Sequence, residues 1–182
     1  MLQERGYSSA LNVNRGIGGH STENQFVTFQ IGAEEYGIDI MLVQEIIRYK
    51  APTRVFNTNP VIKGVINFRG KVIPVLDMHR KFNLSPGEYD EYTVIIIIEV
   101  EKKTLGMVVD RVSDIMNFHT EDLQFVDREF ASDIRTEHLQ GMGKTGERIV
   151  LLLDPLKIYS LSELDALQKN ALQQEVVQGA NK

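Results

Sequence analysis

Cysteine is absent from the 182 residues, which excludes disulfides, thiol nucleophiles and Cys-ligated zinc and agrees with a reducing compartment. An excess of positive charge is also missing. The formal net charge is −5, whereas a dedicated nucleic-acid binder draws much of its affinity from a basic surface that neutralises phosphates. No apolar run approaches the roughly 20 residues that cross a bilayer, and the N-terminus has no basic segment followed by a hydrophobic one. The reading is a soluble, cytoplasmic protein without direct membrane insertion. Any work at a membrane would pass through a partner. At this length, one domain plus tails, or two small lobes sharing a core, buries enough apolar surface to fold without a staple or a metal.

Catalytic constellations are scarce too. Gly141-Met142-Gly143-Lys144-Thr145 invites a phosphate-loop reading, but the required spacing puts His138 where the first glycine should stand, and the flanks read as a hairpin. Asp77 and His79 are two apart and would share one face of a strand as metal ligands, yet no third ligand stands nearby. His119 and His138 lie in loops with no evident third member of a triad. The serines and threonines sit mostly in turns, where they cap and bend the backbone. Asp39, Asp110 and Asp114 end strands or flank turns, which leaves a carboxylate pair open but unsupported by spacing. The expectation is a protein that is not an enzyme and carries no metal or cofactor. The alternative, a small metal- or ligand-dependent enzyme on a β-barrel scaffold, would be built on Asp77, His79 and Asp110.

What is present is a series of short strands. Residues 1–24 are rich in Gly, Ser and Asn without a helical or strand period, so a disordered arm is expected there. Order begins at 25–31, whose alternation reads as a half-buried strand, and a turn leads to a second strand at 36–40. The run 43–49 is short enough to be ambiguous, and strand is favoured over a helical turn. Residues 92–100 are almost wholly β-branched and apolar on both faces, which predicts a strand covered on both sides. Strands are also expected at 104–110 and 112–118. A polar loop at 119–135 carries Leu123, Phe125 and Phe130 and has the length at which loops are often functional. A last hairpin ends at Leu153, after which Asp154 and Pro155 are placed to cap and start a helix. Leu161, Leu164, Leu167, Ala171 and Leu172 then recur as a helical stripe that covers the chain's own barrel. Many short strands with closely spaced turns predict small β-barrels, and the doubly apolar strand predicts two of them packed together.

The centre of this pattern is the stretch from Ile62 to Asp77. Two Val- and Ile-rich runs flank Asn67-Phe68-Arg69-Gly70, which predicts a β-hairpin whose tip uses Gly70 for a backbone angle forbidden to most residues. Pro74 donates no ladder hydrogen bond, so the second strand is expected at an edge or bulged at that point. Arg69 then stands at a tight turn on a rigid scaffold, a position that suits recognition.

Taken together, Glu35-Tyr36-Gly37-Ile38-Asp39-Ile40, Val43-Gln44-Glu45-Ile46, the hairpin just described and Val108-Val109-Asp110-Arg111-Val112-Ser113-Asp114 resemble the CheW family, the adaptor proteins of bacterial chemotaxis. The resemblance runs from about residue 25 to about residue 160, with an arm before it and a helical tail (161–182) after it. It implies an all-β fold of two small SH3-like five-stranded barrels around a shared core, with a C-terminal helix. It further implies a non-catalytic adaptor, monomeric when isolated, with a groove for the cytoplasmic tip of a methyl-accepting chemoreceptor and surfaces for the regulatory domain of the histidine kinase CheA. Arg69 is assigned to receptor recognition, with Val43, Glu45, Ile46, Gly106, Val112 and Ile115 near the groove, and Phe130 is the candidate kinase contact. Phe68 stands where the family usually has Leu, and the loop 119–135 lacks the prolines common there.

Overall fold

Alternation of apolar and polar residues is read out faithfully in the computed structural model, which describes residues 24–56, 59–125, 137–160, 164–166, 169–170 and 172–173. Most of the arm 1–24, the candidate contact Phe130, and the stripe residues Leu161, Leu167 and Ala171 lie outside the described residues. In chain order the elements are β1 (Gln25–Ile31), β2 (Glu34–Asp39), β3 (Val43–Arg48), β4 (Ile62–Phe68), β5 (Lys71–Asp77), the single-turn helix α1 (Met78–Lys81), β6 (Val94–Val100), β7 (Lys103–Val109), β8 (Arg111–Asn117), β9 (Leu123–Phe125), β10 (Leu139–Thr145), β11 (Arg148–Leu153) and the single-turn α2 (Pro155–Ile158). They form two sheets, ordered β8-β1-β2-β11-β10-β9 and β3-β6-β7-β5-β4. The chain begins the first lobe with β1 and β2, builds the whole second lobe with β3 to β7, and returns to finish the first. The two-lobe, all-β architecture stands, with β9 as a short sixth strand in the first lobe, formed within the segment expected to be a loop.

Three clusters of buried side chains explain why the lobes stay together. One fills the first lobe (Phe26, Met116, Phe118, Leu123, Val150, Leu152) and one the second (Ile66, Ile73, Val75, Ile95, Ile97, Val108). The third and largest lies between them and draws on both, including Val27, Phe29 and Ile31 from β1 and Leu105, Met107 and Val109 from β7. β6 shows the logic most clearly: Ile95 and Ile97 face the second lobe's interior, while Ile96 and Ile98 face the shared core. All four are at most 1% exposed, each contributing about 2 kcal/mol by removal from water. A strand with one polar face would leave one of these cores without a wall.

The prediction about Pro74 fails. β5 is an interior strand, between β4 and β7, and the register shift in the hairpin lies between Ile62 and Gly64, not at the proline. Pro74 faces Val65, whose N–H and C=O both point away from β5 to Thr53, at 2.8 Å each. The Val65–Pro74 pair therefore needs no donor from the proline. Parallel pairing with β7 starts only at Val75, one residue beyond the missing N–H.

Caps at the chain reversals agree with the sequence reading. Asp154 accepts from the Leu156 N–H at 3.0 Å with Pro155 in the first turn. Leu164, from the helical stripe, is 2% exposed and joins the shared core, whereas Leu172 is 53% exposed. Asp165 pairs with Lys103 of β7.

His79 and Asp110, grouped by the sequence only under the small-enzyme alternative, meet at the junction of the lobes. His79 donates from Nε2 to Asp110 Oδ1 at 2.7 Å and from Nδ1 to the Ser85 carbonyl at 2.8 Å, while Asp110 Oδ2 accepts from the Gly32 N–H of the β1–β2 turn at 2.7 Å. Both ring nitrogens face acceptors, so only the imidazolium satisfies both. Burial alone would lower the imidazole's pKa, but the hydrogen bonds to Asp110 and Ser85 and the nearby charges of Asp110 and Asp77 outweigh it and raise the value. A raised folded-state pKa gives stability that is fully present below the unfolded value of about 6.5 and is lost as pH rises through the folded value. The melting-temperature advantage of the parent over His79→Gln is therefore expected to shrink as pH is raised from below about 6.5 through neutrality to the alkaline side, measured by calorimetry at constant ionic strength. An advantage that is constant across that range would contradict the charged pair.

Candidate functional site

The β4–β5 hairpin closes through Arg69 and Gly70, at φ 50° and 79°. Two successive positive φ angles match the twist of the flanking strands. Glycine takes this conformation freely, but for arginine it costs about 1 kcal/mol. Asn67 offsets part of that, its Oδ1 accepting from the Gly70 N–H at 3.0 Å. The guanidinium of Arg69 lies 5.0 Å from the Phe68 ring centroid and donates from Nη2 to Glu45 Oε2 at 2.9 Å. Glu45 belongs to β3 and Arg69 to the tip beyond β4, the two edges of the five-stranded sheet. The ion pair thus spans the seam where the sheet curls into a barrel. With side chains 68% and 41% exposed, it adds about 0–1 kcal/mol to stability. Arg69 is strained, held and open to solvent at once.

Cross-strand registers show which way the other candidate residues face, because paired residues point to the same side of a sheet. Val43 pairs with Ile98 and Ile46 with Ile96. Val112 pairs with Phe29 and Ile115 with Val27. All four partners belong to the shared core, so Val43, Ile46, Val112 and Ile115 face the side on which the lobes meet. They come from β3 and β8, each an edge strand of its sheet. Val43 and Val112 pack against the core, but Ile46 and Ile115 remain 40% and 55% exposed. Neither lobe covers them.

A bulge makes this arrangement possible. Register shifts between Val43 and Glu45, so that Val43 faces the shared core while Glu45 and Ile47 pair with Ile97 and Ile95 on the opposite side. Without the extra residue, strict alternation would put Val43 and Glu45 on one face. Gly106 is placed differently from the rest. It pairs with Ile97, is buried, and a Cβ there would stand 2.8 Å from Ile95 Cγ2 and 3.4 Å from Val75 Cγ2. It is a close-packing position inside the second lobe and presents no side chain to a groove.

The contact between Arg69 and Glu45 was missed by the sequence reading, although a signal existed: Glu45 is an acid on the same strand face as the inward-turned Ile47. Asp77 and His79 do not share a face. Asp77 caps α1, accepting from the Arg80 N–H at 3.2 Å, and lies 3.9 Å from Lys63. His138 is 9% exposed and is tied to the Lys157 carbonyl and to Glu137. Among the described residues no group of three His, Cys, Asp or Glu side chains could hold a metal ion, and no helix is long and apolar enough to cross a membrane.

Two β lobes that share a core, with an uncovered apolar strip from two edge strands and a fixed cation at a hairpin tip, define a protein-binding module. The chain belongs to the CheW family: the family model for the CheW-like domain matches residues 25–163. It is 41% identical over 148 residues to the chemotaxis protein CheW of Klebsiella aerogenes, covering 81% of this chain and 89% of that one. To the chemotaxis protein CheW of Treponema pallidum it is 33% identical over 147 residues, covering 79% and 86%. The solved structure of the scaffolding protein TtCheW from Thermoanaerobacter tengcongensis superposes with a TM-score of 0.70 at 26% identity, covering 77% of this chain and 94% of that one. The chain is thus a scaffold-type chemotaxis coupling protein, and the small-enzyme reading finds no support.

Proposed function

We propose that this chain couples the cytoplasmic tips of methyl-accepting chemoreceptors to the histidine kinase CheA, binding the receptor on the apolar strip of β3 and β8 and the kinase's regulatory domain on another surface. The observation that carries this reading is the common facing of Val43, Ile46, Val112 and Ile115 toward the junction of the lobes, with Ile46 and Ile115 left exposed. An amphipathic helical tip supplies the apolar face that such a strip lacks. Arg69, with Glu45 holding it, sets the register by a charge-assisted bond at the rim. Gly106 supports the site from inside the lobe, and Phe130 is kept as the candidate kinase contact. In this reading the protein works in the cytoplasm as a monomer when isolated. Residues 25–160 are the working unit, and the flanking segments 1–24 and 161–182 are accessory.

Arg69→Glu is the test. Reversing an exposed tip charge is expected to change unfolding free energy by less than about 1 kcal/mol while weakening binding of a receptor-tip fragment by about tenfold or more. Circular dichroism and calorimetric titration read the two effects separately. Combining it with Glu45→Arg restores a rim ion pair of opposite polarity. If the pair served only to close the barrel, the double variant would bind like the parent. If Arg69 contacts the receptor, binding stays weak.

A further inference from the structure

At the other end of the β4–β5 hairpin from Arg69, about 20 Å away along β4, lies a cavity of about 410 Å³. Arg54, Lys63 and Arg80 line it. Asp77 is the acid that serves them: it lies 3.9 Å from Lys63 and 3.7 Å from Arg80. Among the described residues Arg54 has no acidic partner. The cavity is therefore locally cationic in a chain whose net charge is −5. Two of the cations are also held in place. Lys63 stands 4.4 Å from the Tyr89 ring centroid, and Arg80 donates to the Pro60 carbonyl at 3.1 Å. Ordering these side chains before a ligand arrives lowers the entropic cost of binding one. Beside them Phe56 is 74% exposed.

We infer that this cavity is a docking site for an acidic segment of a partner protein that carries an aromatic residue beside its carboxylates. Charge complementarity selects the acid: three cations gather here around the carboxylate of Asp77, and their attraction for an anion gives orientation as well as affinity. The exposed Phe56 ring selects the aromatic neighbour, since an inorganic anion would leave that apolar surface in water. This site shares no residue with the receptor strip, and its failure would leave that reading standing.

The probe is the peptide Glu-Glu-Phe-Glu-Glu, added to the full ¹⁵N-labelled chain and followed by amide chemical shifts. Saturable shifts are expected at Arg54, Phe56, Lys63 and Arg80, with affinity falling about tenfold in Arg54→Glu and falling steeply with added salt. Arg54 is exposed, so this variant is expected to melt like the parent; should it not, Phe56→Ser supplies the second reading, expected to weaken the same peptide severalfold. Penta-glutamate should bind more weakly than the aromatic peptide, and inorganic phosphate more weakly still. Equal binding of all three would overturn the proposal in favour of a simple anion site. An absence of saturable shifts at these amides, or equal binding to the parent and both variants, would overturn it outright.

Discussion

Gly64→Ala is expected to lower the unfolding free energy by about 3 kcal/mol, a large fraction of a small protein's stability. Gly64 adopts φ 154°, and a Cβ there would lie 2.3 Å from the Thr53 oxygen and 2.8 Å from its carbonyl carbon. Those contacts are with backbone, which does not swing aside as a flexible side chain would. Relief would require pulling Thr53 off Val65 and breaking the two 2.8 Å hydrogen bonds between them. Those bonds fasten the β3–β4 connection to the outer edge of β4. Gly70→Ala is the control. Gly70 also has a positive φ, 79°, but a Cβ there meets nothing within 4 Å, so the backbone term alone remains, about 1 kcal/mol. Urea denaturation of both variants decides the point. Equal losses would mean that backbone strain, and not the Thr53 contact, is what the glycine relieves.

The second large effect is on binding. A charge placed in the apolar strip must be desolvated when a helix covers it, at a cost of several kcal/mol if it finds no partner. Val112→Asp and Ile115→Asp both place one there, but the structure separates them. Val112 packs against the shared core, so its replacement risks the fold. Ile115 is 55% exposed, and Ile115→Asp should melt within a few degrees of the parent. It is expected to weaken receptor-fragment binding by about a hundredfold and to leave binding of the kinase regulatory domain unchanged. Parallel titrations of the two partners against the one variant read this out. Equal loss for both would place them on one surface.

The legible parts of the fold were those fixed by local pattern. The two-faced apolarity of residues 94–100 needed nothing but its composition to announce a covered strand between two cores. The Arg69-Gly70 turn and the Asp154 cap followed from residue chemistry at single positions. What escaped were features set by distant chain. Pro74 looked like an edge residue because a missing N–H is a local fact, whereas the strand that spares it, through Thr53 and Val65, is not. The first lobe is discontinuous, since β1 and β2 wait for β8 to β11, and no local period encodes that.

The site divides in the same way. Val43, Ile46, Val112 and Ile115 were named through family resemblance, but the reason they face one side lies in two register shifts, one in β3 and one between Thr28 and Phe29 of β1. A bulge changes the side on which every later residue falls, and neither shift has a Gly or Pro to mark it. The same resemblance puts Gly106 near the groove, and there it is a close-packing position against Ile95 and Val75. The His79–Asp110 contact joins residues 31 apart through the meeting of α1 with the end of β7, which no spacing rule reaches.

An adaptor must hold both partners at once, because simultaneous engagement is what makes individually modest contacts effective. The most direct measurement is a titration of the receptor-tip fragment into the chain already saturated with the kinase regulatory domain, with sedimentation to identify the species formed. The account predicts a ternary complex and a receptor dissociation constant equal, within about twofold, to that measured without the kinase domain. Displacement of one partner by the other, with no ternary species at any ratio, would contradict it.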